Sequence, residues 1–251
     1  MKTDASTPPP RACADCRLRQ LPCFLPVTLD ELGFIQSCRQ TVQAVAAGRA
    51  IIAEHHVSPR LYTLYAGWAF RYKTLADGRR QILNFLLPGD FIGLQGEFTD
   101  DATHGVEALT DTQLCVFGHD RLWDIFSQQP RLGYNVTWLC AREEQLVDDN
   151  LVTVGRRAAA ERIAMLLIHL WRRAERLGHV DAQGAVDFPL TQQHIADALG
   201  LSLVHTNKTL RKLERIGLHE IKAGRLRLLE LKALERMADY HARPMRQVPL
   251  I

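Results

Sequence analysis

The spacing of apolar residues divides the chain into regions of different secondary structure. From about 41 to 118, short apolar runs such as QILNFLL recur between turn signals such as Asp77-Gly78 and Pro88-Gly89-Asp90. This spacing predicts strands of an antiparallel β-sandwich or barrel. From His119 to about Leu177, apolar residues recur at steps of three and four, which predicts helices. Residues 1–27 are rich in Pro and Cys and predict irregular structure, followed by a short helix from Thr28, a potential N-cap.

The helical region carries a long apolar stripe. Such a stripe forms either a core face or the seam of a two-helix dimer. Its members are Val136, Leu139, Cys140, Glu143, Leu146, Val147, Asn150, Leu151 and Val154. We predict a two-fold dimer formed through this helix.

The stretch from Thr191 to Leu229 has the pattern of a winged helix-turn-helix. Thr191 is placed to cap a short helix, Gly200 supplies a tight turn, and Ser202 is placed to cap a second helix. The predicted inner face of the first helix is Ile195, Ala198 and Leu199, and that of the second is Leu203, Thr206, Leu210 and Leu213. Two short strands, 218–221 and 226–229, form the predicted wing. A generic helical hairpin with a solvated basic face is the alternative.

The outer face of the second helix has the chemistry needed to recognise duplex DNA. Asn pairs with adenine, Lys donates to guanine, and Val contacts the thymine methyl group. Arg211 is better placed for phosphates. The predicted DNA-binding residues are Ser202, Val204, His205, Asn207, Lys208, Arg211, Lys222 and Arg225.

The charge distribution agrees with a DNA partner for the C-terminal third. The whole chain has a net charge of +3, but residues 154–236 contain 15 Lys and Arg against 9 Asp and Glu, a net +6. The rest of the chain carries a net −3, so the positive charge lies where a phosphate backbone would attract it. An ordinary solvated face is the alternative explanation.

The sequence contains neither an apolar run of membrane-spanning length nor a signal peptide. We therefore expect a cytoplasmic protein, in which thiols are normally reduced. The six cysteines then call for a metal, redox or core-packing explanation before a disulfide one.

Three motifs together resemble the Crp/Fnr family of bacterial transcription regulators, and most closely its Fnr-like oxygen-sensing branch. They are LLPGDFIGLQ at 86–95, EALTDTQLCVF at 107–117 and IADALGLSLVHTNKTLRKLERIGL at 195–218. The resemblance implies an α+β fold with a cyclic-nucleotide-binding-like β-roll, a long dimerisation helix and a winged helix-turn-helix. It also implies a homodimer on a palindromic site in double-stranded DNA, with RNA polymerase as a partner. The expected segments are a Cys-rich 1–27, a β-roll 28–118, a dimerisation helix 119–154, a DNA-binding domain 155–235 and a tail 236–251.

Two departures from the family pattern limit what the resemblance implies. Members that bind cyclic AMP have a Glu and an Arg-Ser pair where this chain has Leu94, and His104 with Gly105. We therefore expect no cyclic AMP binding. Val204, Asn207 and Lys208 replace the glutamate, serine and arginine with which the oxygen-sensing branch recognises bases, so a different operator sequence is expected.

The cysteine positions resemble a cluster site. In the oxygen-sensing branch, three N-terminal cysteines and one equivalent to Cys115 hold a [4Fe-4S] cluster, which implies Cys13, Cys16, Cys23 and Cys115 as ligands. The string C-A-D-C-x3-Q-L matches, but Cys23 is displaced by one residue and Pro22 stands in the expected place. A zinc site, a thiol switch and partly vestigial cysteines are the alternatives. Cys38 and Cys140 lie on apolar helical faces and are expected to be buried thiols.

Two other functions are compatible with parts of the pattern. A β-barrel metalloenzyme needs histidines that converge inside the barrel, but the chain has no His-x-His and His55-His56 are adjacent. We therefore expect no catalytic residues. A regulator that responds to haem, nitric oxide or a small organic effector stays open, with His104 or His119 as a candidate ligand.

Overall fold

The computed structural model describes residues 8–97 (without the side chains of 96 and 97), 102–242, 244 and 246–251. The predicted Cys-rich segment therefore lies outside the described residues for its first seven positions, and the predicted tail for positions 243 and 245. The chain forms two compact units. The roll unit contains Thr3–Lys73, Phe85–Gln145 and Arg246–Ile251, and the winged-helix unit consists chiefly of Thr74–Asn84 and Leu146–Met245.

Within the described residues, eight strands form the β-roll that the family resemblance implied. They are β1 (Arg39–Val45), β2 (Ala50–Ile52), β3 (Arg60–Ala66), β4 (Ala69–Thr74), β5 (Arg80–Leu86), β6 (Phe91–Ile92), β7 (Gly105–Ala108) and β8 (Thr112–Gly118). One four-stranded sheet has the order β1-β8-β3-β6 and the other β2-β7-β4-β5.

Strand β8 shows how the alternating pattern places a cysteine. Thr112, Leu114 and Val116 are fully buried on one face, and Cys115 points to the opposite face because successive side chains of a strand alternate. Cys115 lies opposite Thr63 of β3 and Val42 of β1.

Among the described residues up to Arg156 there are three α-helices and three short 3-10 helices, Cys13–Asp15, Arg17–Gln20 and Leu94–Glu97. The first two 3-10 helices correct the prediction that residues 1–27 are irregular. Helix α1 (Leu29–Cys38) begins at a capping box in which the Thr28 side chain accepts from the N–H of Glu31, as predicted. The predicted single helix 119–154 is in fact two helices, α2 (Arg121–Gln128) and α3 (Pro130–Arg156). The break falls at Gln129, which has non-helical dihedrals, because a following proline disfavours the α conformation.

The winged-helix unit is built on helix α4 (Ala159–Arg176). After it come β9 (Ala185–Asp187), α5 (Gln192–Leu199), α6 (Leu203–Arg215), β10 (His219–Lys222), β11 (Arg225–Leu228) and α7 (Leu231–Ala238). The sheet order is β10-β11-β9, and β9 is a strand that the sequence pattern did not predict. The core of this unit includes Ile163, Leu167, Phe188, Ile195, Leu213 and Leu226.

Among the described residues, every helix is either too short or too polar to cross a membrane.

Candidate DNA interface and thiol pocket

The helix-turn-helix is fixed by two caps and one glycine. The Thr191 hydroxyl accepts from the N–H of His194 and the Ser202 hydroxyl accepts from the N–H of His205, both at 3.2 Å. Gly200 ends α5 with φ of 62°, a left-handed conformation that glycine adopts without a steric penalty. The two caps and the turn are therefore at the residues that the sequence predicted.

Helix α6 presents one buried and one exposed face. The buried face consists of Thr206, Thr209, Leu210 and Leu213. The prediction that Leu203 lies on this face is wrong, because its side chain is 46% exposed. Leu203 is the first residue of the helix, one turn before the first buried position. Thr209 occupies the inner face instead.

The predicted DNA-binding residues of α6 are mostly exposed. Val204 is 79% exposed, and Ser202, His205, Lys208 and Arg211 are also exposed. Asn207 differs, because it is half-buried and its Oδ1 is shielded from solvent without a hydrogen-bond partner among the described residues. Buried amide oxygens are normally hydrogen-bonded, so this side chain gains a partner if it turns outward.

The wing is a two-residue hairpin. Lys222 pairs with Arg225 across the turn, and Ala223 and Gly224 both have positive φ, 50° and 70°. Two central residues with positive φ are typical of a type I′ turn. Lys222 is exposed at its tip.

Arg225 has protein partners of its own. Its guanidinium binds Asp187 at 2.7 Å and Asp181 at 2.6 Å, and it also donates to the carbonyl of Ala185 at 3.0 Å. Two carboxylates neutralise the charge of the Arg225 guanidinium and fix its orientation. Arg225 therefore holds β11 against β9 and the preceding loop. We therefore assign it a structural role and leave it out of the proposed set of DNA contacts.

Three of the four predicted cluster cysteines line one cavity, which we call the thiol pocket. Cys13, Cys16 and Cys115 lie around it with Arg19 and Arg39. Arg39 holds the N-terminal segment by donating to the carbonyls of Pro10 (2.9 Å) and Arg11. The N–H of Cys13 donates to Gln36 Oε1 of helix α1 at 2.6 Å. The N-terminal segment thus has side-chain anchors on α1 and β1.

Burial keeps two of these thiols protonated at neutral pH. It raises the pKa of Cys115 to about 11, against the opposing influence of the Arg39 guanidinium. Burial also raises the pKa of Cys13, again opposed by Arg39. Because the thiolate is the reactive and metal-binding form, burial lowers the reactivity of both thiols in this arrangement.

The four predicted ligands do not meet at one point. Cys23 does not line the thiol pocket, and in the described parts of the chain no three potential ligands come close enough for a metal ion. The cavity measures about 20 Å³, which is room for one water molecule. A [4Fe-4S] cube needs more space and four ligands, so these residues do not fit that cluster as they are placed. The remaining two cysteines differ: Cys38 is buried as predicted, whereas Cys140 is exposed, which corrects the prediction.

An aromatic ring and an ion pair lie beside His104 and Gly105. The Tyr72 ring lies so close to Gly105 that a Cβ there would be 2.4 Å from it. Arg71 binds Glu143 of α3 at 3.1 Å. His104 is buried beside them, and burial together with the charges of Arg71 and Lys73 lowers its pKa to about 4.

The sequence interpretation missed the role of the C-terminal residues. Leu250 and Ile251 line the thiol pocket, and Val248, Leu250 and Ile251 are buried. The apolar ending VPLI after a polar stretch was the available signal, since such residues are normally covered. The seat of the N-terminal segment was also missed: Gly89, with φ of 94°, lies against the Phe24 ring, which a Cβ would approach to 2.2 Å.

Comparisons with known proteins agree with this geometry. The chain matches the cyclic nucleotide-binding domain over residues 42–129 and the Crp-like helix-turn-helix domain over 161–237. It is 30% identical to the nitrogen fixation regulation protein FixK of Bradyrhizobium diazoefficiens, over 90% of this chain and 93% of FixK. It is 29% identical to the transcriptional activator protein FnrL of Cereibacter sphaeroides, over 85% of this chain and 86% of FnrL. The solved structure of FixK2 from Bradyrhizobium japonicum superimposes with a TM-score of 0.72 at 27% identity, covering 80% of this chain and 98% of FixK2. The chain is therefore a DNA-binding transcription regulator of the Crp/Fnr family and not an enzyme.

Proposed function

We propose that this regulator binds a two-fold symmetric operator as a homodimer and that its DNA affinity depends on the redox state of the thiol pocket. The observation that carries the proposal is the convergence of Cys13, Cys16 and Cys115 on one cavity. Cys13 begins a short 3-10 helix, Cys16 lies between that helix and the next one, and Cys115 is part of β8. Three thiols from two distant parts of the chain therefore meet at one cavity.

The DNA-binding part of the proposal rests on the exposed face of α6. Val204, Asn207 and Lys208 are assigned to base edges, and Arg211 and Lys222 to phosphates. This chemistry differs from that of the oxygen-sensing branch, so the operator is expected to differ as well. RNA polymerase stays an expected partner.

The dimer part of the proposal rests on helix α3. Its apolar stripe divides in two: Val136 and Leu139 are buried, whereas Val147 and Leu151 are 42% and 66% exposed. Cys140, Val147 and Leu151 are all exposed and are spaced by seven and four residues, as in a two-helix seam. A second copy of α3 is the expected cover for this face.

Two ion pairs join the strands and turns of the roll to α3. Arg71 of β4 binds Glu143 at 3.1 Å, and Asp90 of the turn before β6 lies 3.5 Å from Arg142. Arg142 and Glu143 are adjacent on α3 and precede Leu151 by nine and eight residues. A change in the roll that alters these contacts is therefore able to bias the packing of the helix pair.

Chemistry at the pocket is limited to what its residues support. The three thiols can be oxidised or can bind a soft metal ion once deprotonated. Because the four cysteines do not fit a cluster as placed, we assign no step to one. The proposal also includes no response to cyclic AMP, since Tyr72 fills the space beside Gly105.

The test is operator affinity of the full chain, fully reduced or oxidised with diamide, which takes two electrons and two protons from a pair of thiols. We expect oxidation to change the affinity of the wild type at least tenfold and to have no effect on a variant in which Cys13, Cys16 and Cys115 are all replaced by Ala. Cys38→Ala and Cys140→Ala are matched controls that keep the response. A wild type with equal affinity in both states would refute redox control. Iron and sulfide analysis of anaerobic protein, with Cys23→Ala alongside, decides whether a metal is the physiological occupant.

A further inference from the structure

The last residues of the chain are part of the roll unit, although they follow the winged-helix unit in sequence. The N–H of Val248 donates to the carbonyl of Cys23 at 2.8 Å, and the N–H of Leu25 donates to the carbonyl of Val248 at 2.9 Å. These two bonds make a parallel bridge between Phe24 and Val248. Gln247 adds a side-chain bond to the carbonyl of Pro22 at 3.0 Å.

Beyond Val248 the chain lies on the thiol pocket itself. Leu250 and Ile251 line the pocket beside the three cysteines. The Thr63 hydroxyl donates to a main-chain oxygen of Ile251 at 2.7 Å, and the Arg19 guanidinium donates to the carbonyl of Leu250 at 3.1 Å. Only 3% of Leu250 and 5% of Ile251 is exposed.

We propose that residues 246–251 are a removable strap that covers the thiol pocket, and that the thiols react or bind metal only after the strap has left. This inference deepens the proposed redox function and rests on it. The strap is a ligand carried by the chain itself, which competes with any other occupant of the pocket.

The strap accounts for both features that prevent four-cysteine ligation in the described arrangement. Leu250 and Ile251 take up the space beside Cys13, Cys16 and Cys115, so that room for one water remains. Val248 holds the backbone at Cys23, which keeps that cysteine outside the pocket. Release of the same six residues would enlarge the cavity and free the Cys23 segment together.

The strap is attached in a way that permits its removal. Its only regular pairing among the described residues is the single bridge to Phe24, so its departure breaks no pairing between the eight strands of the roll. Before it, the described residues between Asp239 and Arg246 form no helix or strand. Short segments outside the sheets open at lower free energy than the strands of a core do.

The test measures alkylation of each cysteine in the metal-free, reduced full chain. A limiting maleimide is added, and mass spectrometry follows labelling of each cysteine over time. Two variants loosen the strap by different means: Leu250→Asp with Ile251→Asp, which places charges in the pocket, and Val248→Pro, which removes the N–H given to Cys23. Leu29→Asp, at an exposed leucine, is the matched control.

We expect Cys13 and Cys115 to label at least tenfold faster in both strap variants and unchanged in Leu29→Asp. Buried Cys38 and exposed Cys140 should keep their wild-type rates. Two results would overturn the strap: pocket thiols that keep the wild-type rate in either variant, or Cys38 accelerating as much as Cys115, since the roll would then open as a whole.

A second measurement works in the opposite direction. Wild-type chain labelled at its pocket thiols should be cleaved by trypsin after Arg246 at least fivefold faster than unlabelled chain, and equal cleavage contradicts the proposal. Neither measurement involves DNA. If labelling depends on the strap while diamide leaves operator affinity unchanged, the strap stands and redox control falls. If diamide changes operator affinity while labelling ignores the strap, redox control stands and the strap falls.

Discussion

Thr63 and Cys115 lie directly opposite each other on the antiparallel strands β3 and β8. Paired positions point to the same face of a sheet, so the hydroxyl that holds Ile251 and the thiol of the pocket are neighbours. A change at Thr63 therefore tests the attachment of the C-terminal residues without altering any cysteine.

Thr63→Val removes the hydrogen bond to Ile251 but keeps the shape of the side chain. We expect amide hydrogen exchange in 247–251 to become faster by roughly 2- to 12-fold, because a net hydrogen bond contributes about 0.5–1.5 kcal/mol. Hydrogen-exchange mass spectrometry of the C-terminal peptide measures this. Thr41→Val, at an exposed position of β1, should leave the exchange unchanged. Unchanged exchange in Thr63→Val would show that the bond does not hold the segment.

His104 makes the stability of the chain depend on pH. Its pKa is about 4 in the folded chain and 6.5 in the unfolded one, so the unfolded chain binds the extra proton between these values. The free energy of unfolding therefore keeps its full value above pH 6.5. It falls as the pH decreases towards 4, by about 3 kcal/mol in total. Urea unfolding at several pH values should show this slope in the wild type and a shallower one in His104→Gln. Part of the slope stays because burial also lowers the pKa of His219. His241→Gln, at an exposed histidine, should keep it, and an equal slope in all three proteins would contradict the assignment.

The exposed residues of α6 should separate into two classes. Asn207→Ala and Lys208→Ala are expected to weaken operator binding by ~1–3 kcal/mol and to relax preference at one base pair of each half-site. Arg211→Ala and Lys222→Ala should weaken binding to all sequences alike and flatten the salt dependence. Affinity measured against a set of single-base operator variants at several salt concentrations distinguishes the classes. Lys232→Ala, exposed on α7, is the control, and an unchanged base preference in Asn207→Ala would remove it from the interface.

Arg225 should behave as a structural residue of the wing. Loss of its bonds to Asp181 and Asp187 in Arg225→Ala is expected to destabilise the winged-helix unit by roughly 1–2 kcal/mol. The salt dependence of DNA binding should keep its slope, because this charge is already neutralised. A double-mutant cycle with Asp187→Ala measures the coupling. A flattened salt dependence like that of Lys222→Ala would instead make Arg225 a phosphate contact.

Leu151 should be essential for the dimer. Leu151→Asp places a charge in the proposed α3 seam, so we expect light scattering to show a monomer and operator affinity to fall at least tenfold. Leu29→Asp makes the same change at another exposed leucine and should leave the dimer intact. A dimeric Leu151→Asp that binds its operator normally would move the interface elsewhere.

The sequence predicted best what short segments determine by themselves. Thr28, Thr191 and Ser202 cap helices, and Gly200 makes the turn, because each needs only neighbours within three or four residues. The chemistry of the exposed face of α6 followed from the helical period. The break at Gln129 was also available from Pro130, but the surrounding apolar periodicity concealed it.

Contacts between distant parts of the chain were not available from local pattern. The bridge between Phe24 and Val248 joins positions more than 200 residues apart. The sequence around either residue does not predict that it pairs with the other. For the same reason Cys23 could not be separated from Cys13 and Cys16 by spacing alone. Their placement depends on what covers the pocket, which is a property of the whole roll unit.

The contact between Gly89 and Phe24 attaches the N-terminal segment to the roll. The Phe24 ring packs against Gly89 in the turn between β5 and β6. The backbone of Phe24 also forms the β-bridge to Val248. We expect a methyl group at Gly89 to displace the Phe24 ring and, with it, the bridge to Val248. The glycine in this turn is therefore required for the segments around Phe24 and Val248 to stay packed against each other.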